Sequence, residues 1–137
     1  MEVHDTISIL AVRDGKVLLV KRLNRTWYGM WSIPGGHVDG GESPREAAVR
    51  EASEEVDGIE VTEGPEPVFV HDVPAGEKRC PEPHRHKCHN FMGAERRPVT
   101  TGSDAGEHAW VSPEKALSMD ITDWARTVLD WYLQKAG

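Results

Sequence analysis

The chain has 137 residues, of which 38% are hydrophobic and 28% are charged, and its formal net charge is −7 at pH 7. This size and composition predict one globular domain over residues 1–137, and the negative charge argues against an extended surface for nucleic acid. Two cysteines are too few for a disulfide framework, and we see no apolar run of roughly 18 residues and no secretion signal, so we expect a cytoplasmic protein without a membrane span.

The N-terminal part is predicted to form a β-hairpin. Two apolar or alternating runs, Thr6–Arg13 and Lys16–Lys21, flank the pair Asp14-Gly15. Asp-Gly between such runs is a strong hairpin signal. A loop is expected over residues 22–29, followed by a short strand over 31–33.

A helix is predicted over residues 44–57. Ser43 and Glu46 have the spacing of a capping box, and Pro44 stands at the first helical position. Gly58 is predicted to end the helix as a left-handed C-cap. An apolar arc suited to packing on a sheet consists of Ala48, Val49, Ala52 and Val56.

The remainder of the chain is predicted to alternate strands with loops before a last helix. The expected strands cover residues 59–62, 68–72, 89–94 and 109–111. Polar loops are expected over 74–83 and from 95 to 106. Apolar residues recur at helical spacing over 120–135, which predicts an amphipathic helix. Strands combined with two main helices indicate an α/β fold in which a mixed sheet lies between helices.

Three carboxylates of the first predicted helix share one face. Each helical residue turns by about 100°, so Glu55 lies about 40° from Glu51 and Glu54 about 60° to the other side. Like charges at this spacing repel each other. A hard divalent cation such as Mg²⁺ or Mn²⁺ removes the conflict, because it prefers carboxylate oxygens. The glycines before the helix allow the backbone to approach a ligand closely.

Residues 36–58 resemble the signature of the Nudix hydrolases, G-x5-E-x7-R-E-U-x-E-E-x-G-U, where U is aliphatic; we call this segment the Nudix box. The matching residues are Gly36, Glu42, Arg50, Glu51, Ala52, Glu54 and Glu55. The pattern departs at its end, since Asp57 replaces the expected glycine and Gly58 comes one residue late. A solvated acidic helix face would explain the run EASEE alone, but not its spacing from the other matching positions.

The resemblance implies a Nudix-type α/β/α sandwich and a hydrolase that cleaves the pyrophosphate linkage of a nucleoside diphosphate joined to another group. It implies Mg²⁺ or Mn²⁺ as the cofactor, held by Glu51, Glu54, Glu55 and the backbone carbonyl of Gly36. Glu54 and Glu55 are also assigned catalytic roles, and Arg50 is expected to orient a glutamate of the box. The expected partner is a small nucleotide or other diphosphate, and the sequence allows a homodimer.

Further site residues are assigned from position alone. Glu107 is the first candidate for a general base, because relatives commonly have a glutamate three residues before a tryptophan, here Trp110. Asp104 is the alternative, and water activated by the cation and the box glutamates is a third. Trp27 and Tyr28 lie in a predicted loop and are candidates for stacking on a nucleobase.

The segment 80–89 carries cysteines and histidines, which are preferred ligands of zinc. Its spacing fits no common zinc pattern, and Cys88 and His89 would point to opposite faces of a strand. We therefore expect no structural zinc in this segment. It is either a polar loop entering a strand or a contact to substrate phosphate through His84, Arg85 or His86, of which His86 is assigned to substrate binding.

Three functions remain open at this stage. A MutT-type enzyme would convert a (d)NTP to a nucleoside monophosphate and pyrophosphate, and the short chain favours this. The enzymatic alternative is a pyrophosphatase acting on ADP-ribose or another nucleotide sugar. The alternative from another class is a non-catalytic Nudix module that senses a nucleotide, which the loss of box carboxylates would have favoured.

Overall fold

The computed structural model describes residues 1–23, 27–76, 80–102 and 105–136, and these form eight strands and three helices. The strands are β1 (Val3–Arg13), β2 (Lys16–Arg22), β3 (Trp31–Ser32), β4 (Gly35–His37), β5 (Val56–Glu63), β6 (Val68–Val73), β7 (His84–Thr101) and β8 (Ala105–Val111). The helices are α1 (Pro44–Glu55), α2 (Pro113–Leu117) and α3 (Asp123–Ala136). In these described stretches, no helix is both long enough and apolar enough to cross a bilayer.

The predicted N-terminal hairpin is confirmed. Strands β1 and β2 pair antiparallel, with Arg13 opposite Lys16. Asp14 and Gly15 both have positive φ, 49° and 75°, as a tight type I′ turn requires.

Strand β1 joins the parts of a mixed sheet. It pairs parallel with β7, residues 3–11 lying against residues 85–93, and antiparallel with β2 and β4. Strands β5 and β6 pair antiparallel with β7, while β3 and β8 pair antiparallel with β2. The N-terminal strand thus lies between β4, which begins the Nudix box, and the long strand β7.

An apolar cluster covers each face of the sheet. Side chains alternate along a strand, so Ile9 of β1 belongs to one cluster and Leu10 to the other. The first cluster includes Ala47, Ala48 and Ala52 of α1. The second includes Ala125, Val128 and Leu129 of α3. The layers are therefore helix, sheet and helix, which confirms the predicted α/β/α sandwich.

Helix α1 begins where the sequence predicts. Ser43 Oγ accepts a hydrogen bond from Glu46 N at 3.1 Å, and Glu46 Oε1 accepts one from Ser43 N at 2.9 Å, which completes the capping box. Ala47 is buried in place of Val49, whose side chain is 54% exposed. The assignment of Val49 to the packed arc was therefore wrong, because the buried face of the helix is turned toward Ala47.

The end of α1 differs from the prediction. The helix stops at Glu55, Val56 is its C-cap with φ −138°, and Gly58 lies inside β5. Gly58 has φ +110° and stands at a register shift in the β5–β7 pairing. A Cβ at Gly58 would approach the carbonyl oxygen of Arg97 to 2.6 Å. The displaced glycine of the box therefore serves a strand irregularity, and its predicted role as a helix cap was wrong.

Strand β7 is much longer than predicted. It covers His84–Thr101, whereas we expected a strand over 89–94 followed by a loop. The first half pairs with β1 and β6, and the second half pairs with β5. Residues 95–98 are charged or proline and show no apolar alternation. Pairing with β5, including an ion pair between Arg96 Nε and Glu60 Oε2 at 2.7 Å, accounts for a strand that local sequence does not reveal.

We expect Ser43→Ala to destabilise the protein by about 1 kcal/mol, because the N-cap bond to Glu46 is lost. Chemical denaturation measures this change. Ser53→Ala is the matched control, since Ser53 lies exposed within α1 and its hydroxyl donates to the carbonyl of Arg50 in the preceding turn rather than capping a backbone N–H. Equal stabilities of the two variants would contradict a capping role for Ser43.

Candidate active site

Strand β4 and helix α1 form the two sides of the site. The backbone of Gly36 lies so close to the Glu51 carboxylate that a Cβ at this position would overlap it. The backbone N–H of Gly35 donates to Glu55 Oε2 at 3.4 Å. Glycine is needed here for the approach of strand and helix, and the approach places two box carboxylates against the strand backbone.

Arg50 is the centre of the polar network. Its Nε and Nη2 donate to the two oxygens of Glu42 at 2.7 and 3.0 Å, a bidentate pair. Its Nη1 donates to Glu51 Oε1 at 3.0 Å and to Glu54 Oε2 at 3.3 Å. Nη2 also donates to the carbonyl oxygen of His37 at 3.0 Å. One guanidinium thus joins the end of β4 and Glu42 of the following loop to two glutamates of helix α1.

The surroundings shift the pKa values of these groups in opposite directions. The hydrogen bond from Arg50, with a second from the Asp39 backbone N–H, lowers the pKa of Glu42. Burial raises the pKa of Glu51, and the charges of Glu54 and Asp39 add to this effect, while Arg50 opposes it. The hydrogen bond to Glu42 also raises the pKa of Arg50. An added positive charge beside Glu51 would favour its ionised form against the effect of burial.

The donor set fits a hard divalent cation. Glu51 is buried to 15% side-chain exposure, whereas Glu54 is 60% exposed, so the site has an inner carboxylate and an open side. One oxygen of Glu51 and one of Glu54 accept from the same nitrogen of Arg50. The carboxylate of Glu55 accepts from the backbone N–H of Gly35 on β4. A cation would compete with Arg50 and the Gly35 N–H for these oxygens. Glu51, Glu54, Glu55 and the carbonyl of Gly36 are the groups that would hold it.

The residue assigned as the general base lies on β8. Glu107 is 73% exposed at the side chain, and its carboxylate is 3.9 Å from Lys21 Nζ. The neighbouring β2–β8 pairing is irregular in register. Its alternative, Asp104, lies outside the described residues. The role of Glu107 remains a prediction.

Two of the residues assigned to substrate binding, Trp27 and His86, belong to one row of packed rings. Trp27 packs edge-on against Trp124 at 4.7 Å, and Trp124 stacks with His71 at 5.3 Å. His71 meets His86 at 5.3 Å, and His86 meets His37 at 5.0 Å. Trp27 and His86 are therefore the two residues of the assigned set that this row joins, and it ends at His37 in the Nudix box.

Tyr28 and His86 differ sharply in exposure. Tyr28 is 69% exposed, as a stacking surface requires, whereas His86 is only 7% exposed. Burial, followed by the charges of neighbouring histidines, lowers the pKa of His86 to about 3, so this ring is neutral at physiological pH. A neutral, buried ring is poorly suited to an ionic contact with phosphate.

An open cleft of about 430 Å³ adjoins the box. It is lined by His4, Asp5, His37, Val38, Asp39, Gly40 and Glu42. Sequence reasoning missed His4, Asp5, His37 and Asp39, because their proximity arises from the pairing of β1 with β4. Only the position of His37 directly after Gly36 was a local signal of its place beside the site.

Comparisons with known proteins agree with this geometry. The family model for the NUDIX domain matches residues 2–132. A CTP pyrophosphohydrolase of Escherichia coli (strain K12) is 36% identical over 127 residues, which is 88% of this chain and 84% of that protein. An ADP-ribose pyrophosphatase of Methanocaldococcus jannaschii is 41% identical over 54 residues, which is 38% of this chain and 32% of that protein.

The solution structure of the E. coli ORF135 protein has the same fold. It superimposes with a TM-score of 0.74 at 27% identity, covering 98% of this chain and 91% of that one. Members of this family generally use a divalent metal. The match over nearly the whole chain, together with the box glutamates gathered around Arg50, shows that the protein belongs to the Nudix hydrolase family.

Proposed function

We propose that residues 1–137 act as one Mg²⁺- or Mn²⁺-dependent domain that hydrolyses a (d)NTP to a nucleoside monophosphate and pyrophosphate. The observation that carries this proposal is the Arg50 network, in which Glu42, Glu51 and Glu54 converge on one guanidinium beside the backbone of Gly36. Such an arrangement supplies several anionic oxygens at one place, and a pyrophosphate bridged by divalent cations needs such ligands.

Each box residue has a separate task in the proposed reaction. Glu51, Glu54, Glu55 and the Gly36 carbonyl would hold the cation, which would neutralise charge on the pyrophosphate oxygens and so favour attack by water. Arg50 keeps Glu51 and Glu54 oriented. In the reaction, the oxygen of water bonds to phosphorus, the bridging P–O bond breaks, and the proton of water passes to a carboxylate.

Either Glu107 or a glutamate of the Nudix box could be the carboxylate that accepts the proton. Glu107 is exposed and could accept a proton without acting as a ligand. The box glutamates lie closer to the proposed cation, and Glu54 is the exposed member among them. Kinetics of variants distinguish the two.

A triphosphate is the favoured substrate class because the relative matched over most of both chains is described as a CTP pyrophosphohydrolase. The shorter match to an ADP-ribose pyrophosphatase keeps a nucleotide sugar as the second candidate. A purely sensing role is disfavoured because the carboxylates of the box are present.

We expect Glu54→Gln to lower turnover by about 100-fold or more, because a ligand loss should exceed the 10- to 100-fold effect typical of outer-shell changes. Its stability should change by less than about 0.5 kcal/mol, since the exposed pair with Arg50 contributes little. Glu60→Gln is the control, a carboxylate on β5 with its own exposed arginine partner. Unchanged turnover of Glu54→Gln at saturating Mg²⁺ would exclude the assignment.

We expect Glu107→Gln to lower kcat by about 10²- to 10⁴-fold while leaving the affinity for Mg²⁺ unchanged, since a base that is not a ligand affects only proton transfer. Asp104→Asn should be mild. A strong loss in Asp104→Asn with near-normal Glu107→Gln would transfer the role, and near-normal rates in both would assign it to the box glutamates.

A panel of nucleotides tests the substrate class. With CTP, dCTP and the other (d)NTPs we expect release of pyrophosphate and a nucleoside monophosphate, detected separately from inorganic phosphate. ADP-ribose in the same assay should give little AMP. Faster cleavage of ADP-ribose than of every triphosphate would favour the nucleotide-sugar function, and tight binding without turnover of any compound would favour the sensing function.

A further inference from the structure

Five of the seven histidines in the chain gather around the Nudix-box end of β4. The group consists of His4, His37, His71, His84 and His86. Their rings are close: His4 and His84 are 4.6 Å apart between centroids, His84 and His86 4.9 Å, and His37 and His86 5.0 Å. Imidazole nitrogens that are withdrawn from water need polar partners.

Three of these histidines have the arrangement of metal ligands. Ligand atoms of His4, His37 and His86 all lie within 4.8 Å of one another. Nitrogens bound at about 2.0–2.1 Å to one tetrahedral Zn²⁺ stand roughly 3.3 Å apart. Small side-chain rotations would therefore bring the three rings to a common ion.

The sheet itself brings these residues together. His4 on β1 and His86 on β7 are direct register partners in the parallel pairing. His37 ends β4, which pairs with β1 on its other side, opposite Thr6. Because the three ligands stand on three adjacent, hydrogen-bonded strands, their backbone positions are held before any metal binds.

We propose that His4, His37 and His86 form a site for a transition metal of the zinc class, distinct from the carboxylate site of the Nudix box. Imidazole nitrogen suits Zn²⁺ and its transition-metal neighbours, whereas Mg²⁺ prefers oxygen. The two sites therefore select different ions by ligand chemistry.

Groups around the three histidines hold their rings in place. The Glu2 carboxylate lies 3.1 Å from Nε2 of His4, and a carboxylate on one ring nitrogen of a ligating histidine is a common outer partner of zinc. His84 Nδ1 lies 2.9 Å from the carbonyl of Glu82, which can only accept. His84 Nε2 in turn lies 3.0 Å from His86 Nε2, so the contact with Glu82 places the His84 ring against that of His86.

The site is accessible from solvent. His4 and His37 line the open cleft beside the Nudix box, so an ion has an entry path. Three protein ligands leave a fourth position of tetrahedral zinc for water or another ligand. The cleft side of the site is where that position would be expected.

The spacing of cysteines and histidines within segment 80–89 predicts no zinc site formed by that segment alone. The proposed site takes only His86 from it, and the other two ligands come from β1 and β4. Sequence spacing carries no signal for such a site, because strand pairing rather than chain proximity assembles it.

Titration of the full chain with Co²⁺ or Zn²⁺ in excess Mg²⁺ tests the proposal, because excess Mg²⁺ would fill the proposed carboxylate site. We expect one equivalent of Co²⁺ to bind, with the strong visible absorption of tetrahedral cobalt, and Zn²⁺ to displace it. His4→Ala and His37→Ala should each weaken binding by about 100-fold or more, beyond the effect typical of outer-shell changes. Glu2→Gln, an exposed outer residue, should weaken it by about 10-fold.

His108→Ala is the matched control, since this exposed histidine stands on β8 and should keep full affinity. Circular dichroism of each variant separates loss of a ligand from loss of the fold. Failure of the wild-type chain to bind either ion in excess Mg²⁺ would overturn the proposal, as would equal losses in His108→Ala and His4→Ala.

A neighbouring group, Glu2, His4 and Cys80, also has ligand atoms within 4.8 Å of one another. Cys80→Ser distinguishes the two. Retained binding in Cys80→Ser supports the three-histidine site. Loss of binding in Cys80→Ser with full retention in His37→Ala would place the ion at the other group and overturn our assignment. These readouts require no turnover, so they are independent of the proposed hydrolase substrate.

Discussion

The site depends on one interaction, the convergence of three glutamates on the guanidinium of Arg50. Without a positive charge between them, Glu51 and Glu54 would repel each other across one helical turn, and Glu42 brings a third negative charge from the loop before α1. Arg50 removes that repulsion and anchors the carbonyl of His37 as well. A planar fork with five N–H donors can do this, whereas a lysine has three donors on one nitrogen and lacks the parallel pair that matches a carboxylate. The network therefore holds helix, loop and strand β4 in a shape ready for a divalent ion.

Close packing of the β4 backbone holds this network against the sheet. Gly36 has no room for a side chain because the Glu51 carboxylate occupies that space, and Gly35 is equally confined by the carbonyl of Ile7 on β1. These contacts press α1 against β4 and β1, so the acidic face lies at the edge of the apolar cluster formed by Ala47, Ala48 and Ala52. Packing of small residues beneath the helix and charge neutralisation above it thus act on the same element.

Strand β1 connects this chemistry to a second set of groups. By pairing with β4 on one side and β7 on the other, it gathers imidazoles beside the carboxylates. Oxygen donors and nitrogen donors then border one cleft, and His37, which follows Gly36 directly, belongs to both neighbourhoods. The two ligand sets differ in hardness, so each would select its own class of cation.

The sequence by itself determined the elements whose signals are local: the Asp14-Gly15 hairpin, the capped start of α1 and the spacing of the box glutamates. It also indicated the layered fold, because helical and strand periodicities are visible along the chain. Only the tertiary structure decided where α1 ends, how far β7 extends, which side of α1 is buried, and that His4, His37 and His86 meet. The reason is physical: helix caps and turns depend on residues within a few positions of each other, whereas strand length, bulges and ligand clusters depend on partners supplied by distant segments.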